Sequence, residues 1–565
     1  MKPKYLMGIG LLSTALSAAA QTNFIFVTID DLSRESLGIH GCAIPEISPN
    51  LDALGRSGLR FEHCHVQSAN CTPSRNIMSS GLYQQRNRVF SLGSEGAGNH
   101  HTLPALPDVF RAAGYHTGLM GKNSHMSPFD PYSGFDVEYD GYGSTRDPEN
   151  IYSKLSTAFA DAAALGKPLY FNLNIYDPHT GWFNWSSSAG DFKDDTSNPP
   201  SRIYTEEEIP YPSWFPPLSE AEQIDPSTGN SMKDELAAYY NTVKRADDSI
   251  GRMLDAIEDA GQTENTILVV VSDHGMQEPG AKTQLYDHST RSPLFVKWPG
   301  VTASNTVNNT HMIGSFDLLP TFAEMIGQPI PAGVDGRSFA PVIKGEPVPE
   351  WRDYIYKQQN DRNKMRAIQT RDLLYIYNPW SNGSQKVGTV ATGMLCWRRI
   401  EAAGESGTNT AAAAYAHHFL YRTVEELYDM NNDHDCLTNL FDHPAYAADL
   451  AMMQNRMVQE MADSGDNLVL NAFTNWLDTA SAAANAQFIA DQTNLQNEQA
   501  KDPNYTRSVF YDPHDDWHIL GHTLFEPAGE WDIWTPETTG CGSRCPTTTP
   551  TPCPSRPRCS CSAPA

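Results

Sequence analysis

Beyond its first twenty residues the chain has no long hydrophobic run, which excludes a bundle of membrane-spanning helices. It is short of basic residues: 40 Lys and Arg stand against 67 Asp and Glu, a net charge of −27. A surface this acidic excludes general nucleic-acid binding. It also repels anionic ligands at long range, so any such ligand needs a local positive site made by a metal ion and a few Lys, Arg or His. No internal repeat is present, which excludes a solenoid. There is no cysteine framework either. Of ten cysteines, Cys541, Cys545, Cys553, Cys559 and Cys561 crowd the last 25 residues, while Cys42, Cys64, Cys71, Cys396 and Cys436 are scattered. That pattern fixes no disulfide pairing. The terminal crowd has no His and no helpful spacing, so no metal site is assigned to it.

What is present begins with a secretory signal pattern. Lys2 and Lys4 precede an apolar run from Tyr5 to about Leu16, and Ala18-Ala19-Ala20 ends it. The run is too short to span a bilayer comfortably. Residues 1–20 are expected to be a leader cleaved before Gln21, and the protein exported to the periplasm or the extracellular space without stable membrane insertion. A length of 565 residues calls for more than one core. The expected organisation is a catalytic domain over 21–345, a smaller α+β subdomain with an extension over 346–537, and a disordered Thr/Pro/Cys-rich tail over 538–565.

Three apolar runs read as buried parallel strands: Phe24 to Ile29, Leu169 to Ile175 and Thr266 to Val271. Each ends in polar residues: Asp30-Asp31, Asp177-Pro178-His179 and Ser272-Asp273-His274. Leu236, Tyr240, Val243, Ile250, Leu254 and Ile257 recur at helical steps between the last two. Alternating strands and helices predict an α/β fold, whose ligands gather beyond the carboxyl ends of the strands. After residue 345, Tyr354-Ile355-Tyr356, Ala367-Ile368-Gln369, Leu373 to Tyr377 and Glu426 to Asp429 predict an antiparallel meander. A helix is expected from about Ala447 to Asp463.

Adjacent carboxylates such as Asp30 and Asp31 repel unless a cation lies between them. A solvated turn or helix cap is the commoner fate of such a pair, but Asp273-His274 repeats the theme at a second strand end. Together they favour one divalent metal. Cys71-Thr72-Pro73-Ser74-Arg75, followed by Ser80-Gly81, places Arg75 one helical turn from Cys71 if a helix starts near Pro73. By itself Cys71 reads equally as a buried thiol. Gly121-Lys122-Asn123-Ser124-His125 offers an ammonium and an imidazole, the latter able to act as a base near neutral pH. His179 and Lys282 lie near the predicted strand ends.

The Cys71 motif matches the signature in which sulfatases convert a cysteine to formylglycine. The chain resembles a type I sulfatase of the alkaline phosphatase superfamily over about residues 23 to 470, and within it the sulfamidase branch. Further stretches carry this resemblance: Gln85-Arg86-Asn87, Asp177-Pro178-His179, Thr283-Gln284-Leu285-Tyr286, Phe316 to Thr321, and Glu426-Leu427-Tyr428-Asp429 with Asn439-Leu440. The resemblance implies a central mixed sheet flanked by helices, with a smaller C-terminal α+β domain containing an antiparallel sheet. It implies a formylglycine at position 71, installed by a maturation enzyme, whose hydrate attacks sulfur and later expels sulfate. It implies that Asp30, Asp31, Cys71, Asp273 and His274 hold calcium, with manganese as the alternative. It also implies that Arg75, Lys122, His125, His179 and Lys282 serve catalysis, with Lys122, His179 and Lys282 holding substrate.

Three departures bear on specificity. His274 stands where the family usually has Asn, as in related phosphonate monoester hydrolases and phosphodiesterases, and imidazole suits transition metals. One extra residue separates Lys122 from His125, leaving His125 preferred over Ser124. Lys282 stands where sulfamidases carry Arg. The expected substrate is a sulfate ester of a saccharide. N-sulfoglucosamine, a phosphodiester or phosphonate, and non-catalytic glycan binding are the alternatives. Residues 127–147 and 180–230 are expected to wall the substrate pocket, with Trp182, Trp185, Tyr204 and Trp214 as sugar-stacking or core aromatics.

Overall fold

The computed structural model describes residues 22–91, 104–126, 134–139, 144–185, 196–360 and 363–477. The expected leader, the extension beyond 477, the C-terminal tail and parts of the expected substrate wall lie outside the described residues. Among the described residues no helix is long and apolar enough to cross a membrane.

The three apolar runs form the centre of an eight-stranded mixed sheet. Its order is Val137–Glu138, His116–Met120, Leu169–Ile175, Asn23–Ile29, Thr266–Ser272, Leu294–Lys297, Leu59–Phe61 and Thr306–Asn308. The first five strands are mutually parallel. Leu294–Lys297 runs antiparallel to both its neighbours. Every residue of the three central strands is buried, which explains why their sequences run apolar instead of alternating. Side chains still point alternately to the two faces. Ile25, Val27 and Ile29 join one core, with Leu236, Val243 and Ile250 of the long helix Met232–Asp259. Phe24 and Phe26 join the other, with Phe110, Leu319 and Phe322. Ser231 caps the long helix by accepting the Asp234 N–H.

The register then sets the site. Ile29 pairs with Ile175 on one side and Ser272 on the other. The residues that follow these three therefore emerge level with one another at the carboxyl edge of the sheet.

The second sheet has four antiparallel strands, Tyr354–Gln359, Met365–Thr370, Leu373–Tyr377 and Glu425–Asp429. Leu373–Tyr377 matches the run seen in the sequence, and the other three strands extend theirs by a residue or more. Met453, Met457 and Met461, a stripe on the helix Ala447–Ser464, pack onto its tyrosines and leucines. Asp466, just beyond that helix, takes bonds from Tyr356, Gln358 and Arg366. Gln358 N–H donates to Gln67 O at 2.7 Å and Lys357 Nζ to Leu285 O at 2.9 Å, tying this sheet to the segments around the first.

His288 makes a further tie. Its ring lies between Glu35, at 3.7 Å, and Asp435, at 2.8 Å. Burial works against its charge, but the hydrogen bond to Asp435 and the nearby Glu35 carboxylate lift its pKa to about 10. A folded-state pKa above the unfolded value gives stability that is fully present below about pH 6.5 and lost as pH rises toward 10. His288→Gln should therefore be less stable than wild type by about 3 kcal/mol near pH 6. Denaturant melts of the full chain should show this gap closing as pH rises; a gap independent of pH would remove the assignment.

Candidate active site

Cys71 is the first residue of the helix Cys71–Ser80, so the helix begins two residues before the proline expected to start it. All ten of its residues are buried. Ser74 Oγ donates to Asp273 O at 2.7 Å, seating the first turn on the end of the Thr266–Ser272 strand. Arg75, one turn on, points back into the sheet edge. Its Nε donates to Asp273 Oδ2 at 3.0 Å, and its Nη2 lies 2.9 Å from the same oxygen and 3.5 Å from Asp30 Oδ1. Its Nη1 donates to Thr28 Oγ1 and Asn174 Oδ1.

Around this arginine the other candidates gather. Cys71 Sγ is 3.2 Å from His274 Nε2. His274 Nδ1 is 3.5 Å from Asp31 Oδ1 and 3.0 Å from Gly275 O. Lys122 pairs with Asp30 and lies 4.2 Å over the Tyr176 ring. Lys282 Nζ grips both oxygens of Asp31, at 2.8 and 2.9 Å. Donor atoms of Asp30, Asp31, Cys71 and His274 all lie within 4.8 Å of one another. Asp273 is not in this compact set. Its carboxylate instead takes the Asp31 N–H at 3.2 Å and the Arg75 fork. His125 follows Lys122 in the short helix Asn123–Met126, and its carbonyl takes Asn76 Nδ2 at 2.9 Å. His179 stacks obliquely on Tyr176, ring centres 4.9 Å apart.

The electrostatics follow from burial. Burial, opposed by Arg75 and reinforced by Asp30, pushes Asp273 up to about 6. Against the same burial, Lys122 and Arg75 hold Asp30 well below the usual range. Neither Asp30 oxygen accepts a well-formed hydrogen bond. Acids packed this closely, with an imidazole and a sulfur among them, fit a divalent cation. Burial and Asp30 drive the Cys71 thiol well above its ordinary value, so at neutral pH it is not a thiolate. Burial, then the lysines, hold His125 and His179 neutral. Lys282 is held charged by Asp31 against burial.

The backbone is bent to deliver these groups. Asp31, Lys122 and Thr283 have φ of 61°, 52° and 64°. Such conformations cost of order 1–3 kcal/mol each and persist where the surroundings enforce them. Gly121 also has positive φ, and a Cβ there would lie 2.3 Å from Asn174 O. Only glycine lets the chain turn into Lys122 at this point.

Sequence reasoning missed the groups that hold these residues. Thr28 and Asn174, which fix Arg75, are polar interruptions in otherwise apolar strands, and that irregularity was the available clue. Tyr176 beneath Lys122, and Gln277, whose Oε1 is 3.5 Å from Lys282 Nζ, carry no motif. The aromatics expected to stack on sugar are largely core. Trp182 and Tyr204 are buried, packing on Tyr239 and bonding to Pro45 O respectively, and Trp185 is buried as well. Trp214 alone of the four is half-buried.

Comparison with known proteins identifies the family. The Sulfatase family model matches residues 22–328. Human N-sulphoglucosamine sulphohydrolase is 25% identical over 481 residues, covering 81% of this chain and 93% of the human one. A solved structure of a protein with its substrate D-glucosamine-2-N,6-O-disulfate superposes with a TM-score of 0.57 at 18% identity, covering 79% of this chain and 99% of that one. Phosphonate monoester hydrolase of Agrobacterium radiobacter gives 0.57 at 17% identity, covering 79% and 96%. With more than half of its length matched by the family model, the chain belongs to the sulfatase family and is a sulfuric ester hydrolase.

Proposed function

We propose that this sulfatase removes O-linked sulfate from saccharides, using a formylglycine made from Cys71 and one divalent cation. The observation that carries this reading is the position of Cys71. It begins a buried helix, its sulfur 3.2 Å from His274 Nε2 and inside the cluster of buried acids. A thiol held protonated there is a poor nucleophile, whereas an oxidised, hydrated residue 71 supplies the hydroxyl the reaction needs. Installing it requires a formylglycine-generating maturation enzyme. The cation would be held by Asp30, Asp31, position 71 and His274, with Asp273 supporting; calcium suits the oxygen donors while His274 admits manganese. When bound it supplies charge that lowers the cost of bringing an oxyanion to a sulfate ester.

The remaining roles fall to this chain's own groups. Arg75 fixes Asp30 and Asp273 and lends positive charge to position 71. Lys122 and Lys282 hold sulfate oxygens in an otherwise acidic protein. His125, kept neutral, accepts a proton at position 71. The Lys282 ammonium donates a proton to the leaving oxygen, with His179 as the alternative donor. Lysine at 282, the resemblance to O-sulfatases at that point and the leader-like N-terminus favour an exported enzyme acting on O-sulfated sugars. The glucosamine sulfates named for two of the similar proteins support a saccharide substrate.

Three measurements test this. Cys71→Ala should fold normally and reduce turnover to background, and peptide mass spectrometry of active protein should find formylglycine at 71. Full activity in protein carrying only unmodified cysteine would overturn the nucleophile. Chelation should abolish activity and lower the melting temperature, and calcium at 100 times its Kd should restore about 2.7 kcal/mol of stability. Asp30→Asn with Asp31→Asn should remove that calcium increment; activity surviving complete metal removal would sink the site. Finally, kcat/KM should be highest on an O-sulfated sugar when compared with N-sulfated glucosamine and a phosphodiester, each tenfold corresponding to about 1.4 kcal/mol. Preference for either competitor would reassign the substrate and leave position 71 untouched.

A further inference from the structure

A second group of metal-binding side chains lies apart from the strand-end site. Glu235 sits in the first turn of the long helix Met232–Asp259, Glu278 in the segment between His274 and Lys282, and Cys396 in the first turn of the helix Leu395–Glu405. Their ligand atoms all lie within 4.8 Å of one another, and all three residues are buried. Glu235 accepts the Leu395 N–H at 2.7 Å and the Cys396 N–H at 2.8 Å, so its carboxylate caps the second helix. Burial pushes Glu235 up to about 7, and these two bonds at the positive end of the helix dipole offset only part of that.

Glu278 has no such support. It is 1% exposed, and neither oxygen has a conventional hydrogen-bond partner. The polar groups acting on it are Glu235, a like charge, and the weakly donating Cys396 thiol. Burial first, then Glu235, pushes Glu278 far above the usual carboxylate range. A buried carboxyl group without a partner costs several kcal/mol, and a second acid beside it adds to that cost. Packing does not explain an acid here, because a Leu or Met of similar length would carry no such penalty. Glu278 also lines a small cleft with Glu35, Trp214 and His288.

We propose that Glu235, Glu278 and Cys396 form a second cation site, for a zinc-like divalent ion, distinct from the catalytic one. Two carboxylates and a thiolate match a borderline-soft ion and disfavour calcium. Binding releases to solvent both the thiol proton and the proton that burial holds on Glu278, leaving a thiolate and two carboxylates as ligands. Three segments far apart in sequence would then be pinned at one point. One of them carries Lys282 four residues beyond Glu278, so the ion would hold the substrate-side ammonium in place without touching substrate.

The test uses full-length protein in a Cys71→Ser background, which removes the other thiol able to bind metal at a carboxylate cluster. Chelator-stripped protein is titrated with zinc, and separately with cobalt(II), whose thiolate charge-transfer absorption reports Cys–metal bonds. Adding Cys396→Ser should abolish one zinc equivalent and reduce the cobalt–thiolate absorption, the cysteine-rich tail contributing equally to both proteins. Glu278→Gln, which keeps the shape, should also lose one zinc equivalent and the zinc-induced rise in melting temperature. Asp31→Asn should retain both. Circular dichroism identifies a misfolded Cys396→Ser protein, in which case Glu278→Gln decides. Unchanged zinc stoichiometry and cobalt absorption would overturn the site and leave Glu235 and Glu278 as a proton-sharing pair. None of these readouts depends on sulfatase activity.

Discussion

The Arg75 guanidinium is the interaction on which the active end of this molecule depends. It is fully buried and reaches Asp273 at the end of one strand, Asp30 at the end of the next, and Asn174 within a third. A guanidinium has five donors in a fixed fork. Here the fork reads the spacing of three parallel strands and locks the Cys71 helix to it. Parallel register brings the strand ends level, but register alone would leave two carboxylates repelling each other. Arg75 compensates part of that repulsion. Because it sits one turn from Cys71, the compensation also orients position 71 toward His274. A lysine could balance charge there but could not span Asp273, Asp30, Thr28 and Asn174 together.

Much of this was legible in the sequence, for identifiable reasons. Strands buried on both faces read as continuous apolar runs, so Asn23–Ile29, Leu169–Ile175 and Thr266–Ser272 were found to within a residue, and their polar ends followed. The long helix showed itself by period. Contiguous motifs located Cys71, Arg75, Lys122 and Lys282. Polar interruptions inside strands were legible in principle and passed over: Thr28 and Asn174 look like imperfections until Arg75 is placed. The helices Pro148–Ala164, Leu395–Glu405 and Thr410–Tyr421 were missed, the last because an alanine-rich face gives weak periodicity. Aromatic richness over 180–230 misled for a physical reason. Large rings bury well in any core, and composition cannot tell a ring under a loop from one on a cleft wall.

The burial of Trp182, Trp185 and Tyr204 moves the question of specificity to polar groups. Trp182 Nε1 donates to Pro178 O at 2.7 Å, and Arg146 and Arg245 both engage Asp177. These aromatics and ions therefore build the platform beneath His179 instead of a surface for sugar. On the proposed reading, with Lys122, His179 and Lys282 holding substrate, discrimination would come from hydrogen bonding to substrate oxygens. A site of that kind rejects analogues that leave its buried donors unpaired far more strongly than an apolar wall rejects a change of shape.

The overall charge and the local site oppose each other, and the opposition explains the composition of the centre. With a net charge of −27, the protein repels a sulfated substrate at distances up to the Debye length, about 8 Å at physiological salt. Within that distance Arg75, Lys122 and Lys282 face Asp30, Asp31 and Asp273, three charges of each sign. A neutral balance of this kind attracts no anion. A bound divalent cation makes the centre net positive by two, inside a low-dielectric pocket where each charge acts more strongly than on the surface. On the proposed reading, such a cation would serve substrate binding as well as attack on sulfur. Both Lys122 and Lys282 are paired to carboxylates the cation would share, so its arrival also weakens the hold of Asp30 and Asp31 on the ammonium groups meant for sulfate.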